Sequence, residues 1–228
     1  MKAMILAAGR GQRMHSLTDH TPKPLLSIGP HTLLEHHLYK LANAGVQDVV
    51  INIAYLAEQI QRHIGNGQRY QLSVHWSDET QALESGGGIK KALSLLGDEA
   101  FCVINADVLT DWDYMELVNF TLRPQTLGHL FLVNNPQHHP KGDYCIHDQW
   151  LSNEGSKRYT FSGLSVLHPQ LFDSELECYF KLASVFNQQL AHQTLSASVL
   201  MANWLDVGTP DRLAQAKQWM KGLSKSNR

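Results

Sequence analysis

Cysteine is scarce in this 228-residue chain, which has three: Cys102, Cys145 and Cys178. They are far apart and form no Cys-x-x-Cys pair, which argues against a zinc ribbon or a disulfide frame. An odd, sparse set suits a reducing compartment, so a cytoplasmic location is expected. Long apolar runs are also missing. None reaches the ~18 residues of a membrane helix. The run from Ala3 to Ala8 is too short for a signal-peptide core, and Arg10 and Arg13 follow it at once. No membrane partner is expected. Nor is one sign of charge in excess: Lys and Arg total 19 against 21 Asp and Glu, a formal net charge of −2. Dedicated nucleic-acid binders are usually basic, so nucleic acid is not an expected partner either. The chain has no repeats and no low-complexity linker. Hydrophobic residues make up 43% and charged residues 18%, a balance that builds a core. The length suits one domain.

What is present is an alternation of strand-like and helix-like segments. Lys2–Ala8 reads as a buried strand. Leu33–Ala44 carries apolar residues at helical spacing, with Thr32 placed to cap its start and Gly45 its end. A strand over Val46–Ile53 and a helix over Leu56–Ile64 follow. Next come a strand over Leu72–Trp76, a helix over Gly88–Leu96 and a strand over Phe101–Asn105. A helix over Trp112–Leu122 and a strand over His129–Val133 complete the series. This order predicts a doubly wound, mostly parallel sheet with helices on both faces. Beyond residue 135 the rhythm breaks. Short strands (Tyr144–His147, Thr160–Leu167) and a helix (Lys181–His192) suggest an insertion or lid. A strand over Asn203–Val207 leads into "GTPDR", where Thr209 can cap a last helix with Pro210 in its first turn. Residues after Gly222 read as a frayed tail.

Ligands of such sheets sit beyond the carboxyl ends of strands. Gly9–Arg13, Asp107 and Asp206 all fall there, so three chain segments converge on one crevice. The stretch "LAAGRGQR" (Leu6–Arg13) ends a buried strand with two glycines and two arginines. Glycine lets the backbone turn tightly and approach a ligand, free amides there bind phosphate, and arginine adds a fork of donors. Two known phosphate loops fail to match. The dinucleotide fingerprint needs a third glycine where Met14 stands, and no Gly-Lys-Ser/Thr triplet occurs.

The longer stretch "GRGQRMHSLTDHTPKPL" resembles the N-terminal signature of the sugar-1-phosphate nucleotidylyltransferases. "INADV" (Ile104–Val108) and "WLDVGTPDRL" (Trp204–Leu213) resemble two further elements of that family. Three more stretches, "LESGGGIKKAL", "NNPQHHPKGDY" and "FSGLSVLHP", resemble a narrower branch, the N-acetylmuramate-1-phosphate uridylyltransferases of peptidoglycan recycling. The pattern departs from the family at Gln12, at His15-Ser16 and at Ala106. The resemblance implies a Rossmann-like nucleotidyltransferase fold with a small inserted β-rich sugar-binding lid. It also implies a single catalytic domain. Residues 1–135 would mainly bind nucleotide and 136–202 mainly sugar, while 203–222 supply a metal aspartate and the final helix.

The reaction so implied joins a sugar 1-phosphate to UTP and releases pyrophosphate. Both substrates are anions, so cations and positioning matter more than a covalent nucleophile. By resemblance, Arg13 and Lys23 are the catalytic cations, with Pro-Lys-Pro holding Lys23 extended. Ala8, Gly9, Gly11, Arg13, Glu79 and Gly86 line the nucleotide, with Glu79 near the base. Asp107 and Asp206 hold Mg²⁺, a hard cation suited to carboxylate and phosphate oxygens. Asn105, Asp143, Gly163 and Lys181 are the sugar candidates. A cation from Lys141 or Lys181 suits a lactyl carboxylate, although Lys181 could instead hold the sugar's phosphate. His138-His139 reads as a loop contact and His36-His37 as structural. A monomer or small homo-oligomer is expected. The alternatives are a mannose-1-phosphate guanylyltransferase, a glucose- or N-acetylglucosamine-1-phosphate uridylyltransferase, and a non-catalytic nucleotide-sugar binding protein.

Overall fold

The computed structural model describes residues 1–226. Four buried strands form the parallel half of the sheet: β1 (Ala3–Leu6), β2 (Asp48–Ile53), β3 (Ser73–Asp78) and β4 (Phe101–Asn105). They lie in the order β3-β2-β1-β4. Their alternation serves two faces. Ala3 and Ile5 join one core with Leu34, Leu38 and Leu41 of α1 (Leu33–Asn43). Met4 joins the opposite core with Ile89, Ala92 and Leu96 of α3 (Glu84–Leu96). Each fully buried aliphatic side chain contributes about 1.5–3 kcal/mol, so this two-sided pattern dictates a helix–sheet–helix sandwich. Between the strands, α2 (Ala57–Ile64) packs through Ile60 and Ile64. Thr32 and Glu35 form a reciprocal capping box at the start of α1, as the Thr32 expectation required.

The sheet continues as a mixed one. β6 (Gly128–Val133) pairs antiparallel with β9 (Thr160–Leu167), and β9 pairs antiparallel with β4. The full order is β3-β2-β1-β4-β9-β6-β10-β8-β7. β10 (Leu195–Val199) runs parallel to β6, and the short strands β7 (Cys145–His147) and β8 (Trp150–Ser152) make an edge hairpin. Thr160–Leu167, expected within the lid, is therefore a central strand; six of its eight residues are buried beyond Phe161 in an unbroken run. α5 (Leu182–Gln189) closes the second core through Leu182, Val185 and Phe186.

Several boundaries differ from the sequence expectation. α3 starts at Glu84 and not at Gly88, because its three glycines allow close packing within a helix. The helix expected over Trp112–Leu122 shortens to α4 (Tyr114–Val118). The chain turns after it so that Phe120 packs on His129, ring centroids 4.1 Å apart. The last helix, α6 (Pro210–Ser226), runs past Gly222 where a frayed tail was expected; residues 227–228 lie outside the described residues. Lys23 is not extended but opens a 3-10 turn, Lys23–Leu25. No described helix is long and apolar enough to cross a membrane.

One further pairing positions the site. β5 (Val108–Thr110) and β11 (Trp204–Asp206) form a separate antiparallel ribbon in which Asp206 faces Val108. Below it, Met14, Leu33, Leu109, Val207 and Leu213 make a third apolar cluster. Met14, standing where a dinucleotide loop has glycine, is fully buried there. The loop is thus anchored by a side chain, not by a close backbone approach.

Candidate active site

A cavity of about 730 Å³ opens at the carboxyl ends of β1 and β4. Ala8, Gly9, Gly11 and Arg13 line it, together with Lys23, Glu79, Asn105 and Asp107. Glu84, Ser85, Tyr179 and Gly208, none of them named from the sequence, complete its wall. A larger cleft of about 860 Å³ lies at the other ends of the strands, around Lys2, Asp48 and Arg123. It has neither the glycine loop nor the carboxylate pair, and it is at the wrong end of a parallel sheet for a ligand.

The opening loop is braced from several sides. Gly11 adopts a left-handed φ of 69°, which glycine takes without penalty. A side chain there would also meet Lys23, whose Cβ is 3.0 Å from the position a Cβ would occupy. Thr18 Oγ1 donates to the Gly11 carbonyl at 3.1 Å, and Tyr55 Oη donates to the Thr18 carbonyl at 3.0 Å. Arg10 lies over the Tyr55 ring, 5.3 Å from its centroid. Arg13 stays exposed at the cavity edge.

The two aspartates meet through the β5–β11 ribbon. Val207 N–H donates to the Asp107 carbonyl at 2.7 Å, so Asp107 and Asp206 flank one pair of strand ends. Each carboxylate faces a cation. Lys23 Nζ is 2.6 Å from Asp107 Oδ2. Asp206 Oδ2 is 3.2 Å from Arg212 Nη2, and its Oδ1 is 2.8 Å from His138 Nε2. His138 thus reaches from the inserted segment to a candidate metal aspartate. Its neighbour His139 pairs separately with Asp143, 3.0 Å away. The two histidines therefore serve two aspartates and do not chelate one ion, in keeping with the loop-contact reading. Asp107 lines the cavity and Asp206 stands just behind Gly208.

Glu79 is 2% exposed. Its Oε1 accepts from Asn52 Nδ2 at 2.8 Å and its Oε2 from the Leu83 amide at 2.8 Å. Asn52 Oδ1 in turn accepts from the Ala7 amide at 2.8 Å. Glu79 therefore ties the end of β1 to the start of α3 while still lining the cavity. Gly86 is buried in the first turn of α3, and a Cβ there would lie 2.4 Å from the Phe180 ring. It stands behind the cavity wall, whose surface at this point is Glu84 and Ser85. Glu84 is held at a left-handed φ of 63°, an uncommon state for a residue with a side chain. Tyr179 Oη donates to Glu84 Oε1 at 3.2 Å.

Asn105 and Gly163 are neighbours, because a Cβ on Gly163 would be 2.8 Å from Asn105 Nδ2. Asp143 accepts from the Phe161 amide at 2.8 Å through Oδ2. Lys181 stands at the N-cap of α5, where the Leu182 amide donates to Ser85 Oγ at 3.0 Å. Of these four, Asn105 reaches the cavity lining. Beneath the site, His37 is fully buried with Nδ1 2.8 Å from Tyr114 Oη. Burial, then the charges of His36 and Lys40, hold His37 well below its ordinary range. Burial also pulls Lys40 down to about 8. The structural reading of His36-His37 stands.

The cavity is therefore lined by the glycine loop with its cations Arg13 and Lys23, and by a wall that includes Glu79, Ser85 and Tyr179. The nucleotidyl transferase family profile matches residues 2–145, more than half of the chain. The chain belongs to this family. As a nucleotidyl transferase it is 42% identical over 224 residues to the N-acetylmuramate alpha-1-phosphate uridylyltransferase of Neisseria meningitidis serogroup B. That match covers 95% of this chain and 97% of the relative. A Caulobacter vibrioides protein of the same name is 29% identical, covering 94% and 97% of the two chains. A mannose-1-phosphate guanyltransferase of Yarrowia lipolytica is 30% identical across the whole chain, which spans 66% of that protein. Among solved structures, HddC from Yersinia pseudotuberculosis complexed with GMP-PN superposes with a TM-score of 0.80 at 24% identity, covering 96% of this chain and 99% of that one. The nucleotidyltransferase fold expected from the sequence is thus the fold observed.

Proposed function

We propose that the chain is a uridylyltransferase that joins N-acetylmuramate 1-phosphate to UTP, giving the UDP-sugar and pyrophosphate. The carrying observation is that Arg13, Lys23 and Asp107 line one cavity with the glycine loop, with Asp206 next to them behind Gly208. The likeness to the Neisseria relative over nearly the whole of both chains supports the choice of substrates.

A phosphate oxygen of the sugar 1-phosphate attacks the α-phosphorus of UTP, and the bond to pyrophosphate breaks. The amides of Gly9 and Gly11 hold the triphosphate. Arg13 braces the departing pyrophosphate. Lys23 stands at the reacting phosphates, where charge develops. The cationic glycine loop takes the phosphates, and the base is assigned to the wall that carries Glu79, Ala82 and Ser85. Because both Glu79 oxygens already accept from the protein, Glu79 sets the wall that the base meets. Asn105, Gly163, Asp143 and Lys181 serve the sugar.

The donor set fits Mg²⁺, which takes one or two carboxylates and fills its shell with phosphate and water. In the free chain Asp107 is balanced by Lys23 and Asp206 by Arg212; substrate phosphates would draw Lys23 away and leave the Asp107 carboxylate to the metal. No cluster of three or more potential ligand side chains occurs among the described residues. This suits a metal held jointly by protein and substrate better than a closed structural site. Bound Mg²⁺ would screen the repulsion between the two anionic substrates. Peptidoglycan recycling in the cytoplasm is the setting we assign to this chemistry.

The test is pyrophosphate release with a panel of triphosphates and sugar phosphates. UTP with N-acetylmuramate 1-phosphate should give the highest kcat/KM. Preference for GTP with mannose 1-phosphate would move the chain to the guanylyltransferases. No release with any pair would leave a nucleotide-sugar binding protein.

A further inference from the structure

Arg212 is 7% exposed and lies in the first turn of α6. That is an unfavourable place for a cation, since the N-terminal end of a helix is itself positive. A buried charge without a counter-charge is strongly destabilising. The counter-charge here is Asp206, whose Oδ2 lies 3.2 Å from Arg212 Nη2. The chain also clears space for this pair. Gly208 has no left-handed φ that would demand glycine, yet a Cβ there would sit 2.4 Å from Arg212 Nη2. The same Cβ would be 3.4 Å from Arg13 Nη2. Gly208 is therefore glycine so that a guanidinium can fill the volume of its missing side chain.

The two oxygens of Asp206 are treated differently. Oδ2 lies 3.2 Å from the buried Arg212, and Oδ1 lies 2.8 Å from His138, whose side chain is 38% exposed. Both are charge contacts without hydrogen-bond geometry, so Oδ1 is a buried oxygen with no hydrogen-bond partner among the described residues. The first contact is built into the body of the protein, and the second is a surface contact from the inserted segment.

We propose that Arg212 is a positioning residue. It fixes the Asp206 carboxylate so that Oδ1 is presented toward the crevice for a divalent cation. The proposal rests on the nucleotidyl transfer reading, and it adds a residue to that reading which touches neither substrate. Partners that orient a ligating carboxylate are worth roughly 10- to 100-fold in metal affinity. Simple electrostatics predicts the opposite sign, because removing a nearby cation should tighten metal binding. The direction of the change therefore decides between them.

The experiment titrates Mn²⁺ into the full-length protein saturated with the UDP-sugar product, whose phosphates complete the metal's shell, following the loss of free-ion EPR signal against a blank of the UDP-sugar alone. The proteins compared are wild type, Arg212→Met, Arg212→Lys and Gly208→Ala, with thermal unfolding as the check on folding. Arg212→Met and Gly208→Ala should weaken Mn²⁺ binding at least about 10-fold, and Arg212→Lys should weaken it less. The Mg²⁺ concentration for half-maximal pyrophosphate release should rise in the same order. Should Arg212→Met fail to fold, Gly208→Ala and Arg212→Lys carry the comparison. Unchanged or tighter Mn²⁺ binding in the folded variants overturns the positioning role, as does a wild-type protein that, with the UDP-sugar bound, takes up no Mn²⁺ beyond the blank. A wild type that binds Mn²⁺ but transfers no nucleotide instead overturns the reaction and leaves the role of Arg212 standing.

Discussion

Lys23 Nζ and Asp107 Oδ2 lie 2.6 Å apart, linking the loop after β1 to the end of β4. The lysine side chain is 12% exposed and the aspartate 31%. The pair is thus largely removed from water at the Lys23 end and open at the Asp107 end, facing the cavity. In the free protein each group neutralises the other. In the proposed reaction both would turn to phosphate and metal when substrates bind, which would make the ion pair a resting arrangement.

Replacing Lys23 with methionine should therefore cut kcat by about 100-fold or more, the usual cost of losing one electrostatic contact to a developing charge. Because Asp107 keeps access to water, stability should change by no more than about 1 kcal/mol. Steady-state kinetics and a thermal melt of the same sample check both halves. A variant with normal kcat would remove Lys23 from the chemistry.

Glu79 makes a sharper test of structure against recognition. Glu79→Ala leaves the Asn52 amide and the Leu83 N–H without their acceptor, and each such loss costs about 1–3 kcal/mol. For a chain of this size 1 kcal/mol corresponds to about 2–4 °C, so calorimetry should show a Tm lower by roughly 5 °C or more. If Tm stays put while KM for UTP rises, Glu79 contacts the base and does not brace the wall.

Gly87 sits in the interior of α3, where alanine normally gains about 1 kcal/mol of helix stability over glycine. A Cβ there would be 2.1 Å from the carbonyl oxygen of Cys178. That contact is backbone and cannot rotate away, and overpacking costs typically about 1–3 kcal/mol. The clash should win, so Gly87→Ala should be destabilised in chemical denaturation and loosen the segment carrying Tyr179. A stabilised variant would show that the segment yields freely.

Acid should weaken the fold through its buried histidines. Burial, with the charge of Lys40 for His36 and of Arg123 for His129, pulls both from their ordinary value near 6.5 to about 4, and His37 lies well below the same value. Above pH 6.5 folded and unfolded forms are alike neutral at these sites, and the histidines contribute nothing. Below it the unfolded chain takes up protons that the folded chain refuses, so stability falls as pH drops toward 4. Each histidine adds about 1.4 kcal/mol per pH unit to that slope. His37→Gln should flatten it in denaturant melts run from pH 7 to pH 5. A stability that stays level over that range would count against neutral burial of these rings.

Much of the fold was written locally. Ala3–Leu6, Leu33–Asn43 and Asp48–Ile53 carry their period in neighbouring residues, and Thr32 and Glu35 carry their cap within one turn. Burial is repeated at short spacing, so such elements show in the sequence. The glycine loop, its arginine and the aspartates at strand ends were visible for the same reason. Elements that answer to distant partners were not. The helix over Gly86–Gly88 looks broken until Phe180 and Cys178 are seen to occupy the space its side chains would need. Thr160–Leu167 looks like a lid strand until β4 and β6 are found on either side of it.

By itself the sequence determined the family, the sheet-and-helix architecture and the chemical types at the site, because these rest on composition and short-range pattern. Tertiary structure alone decided which charge answers which. It set Lys23 against Asp107, placed Arg212 and His138 on the two oxygens of Asp206, and turned Glu79 into the wall of the cavity. The physical reason is that charge pairs act over a few ångströms of space. Whether residues far apart in the chain come that close depends on strand register and loop closure, which no local segment encodes.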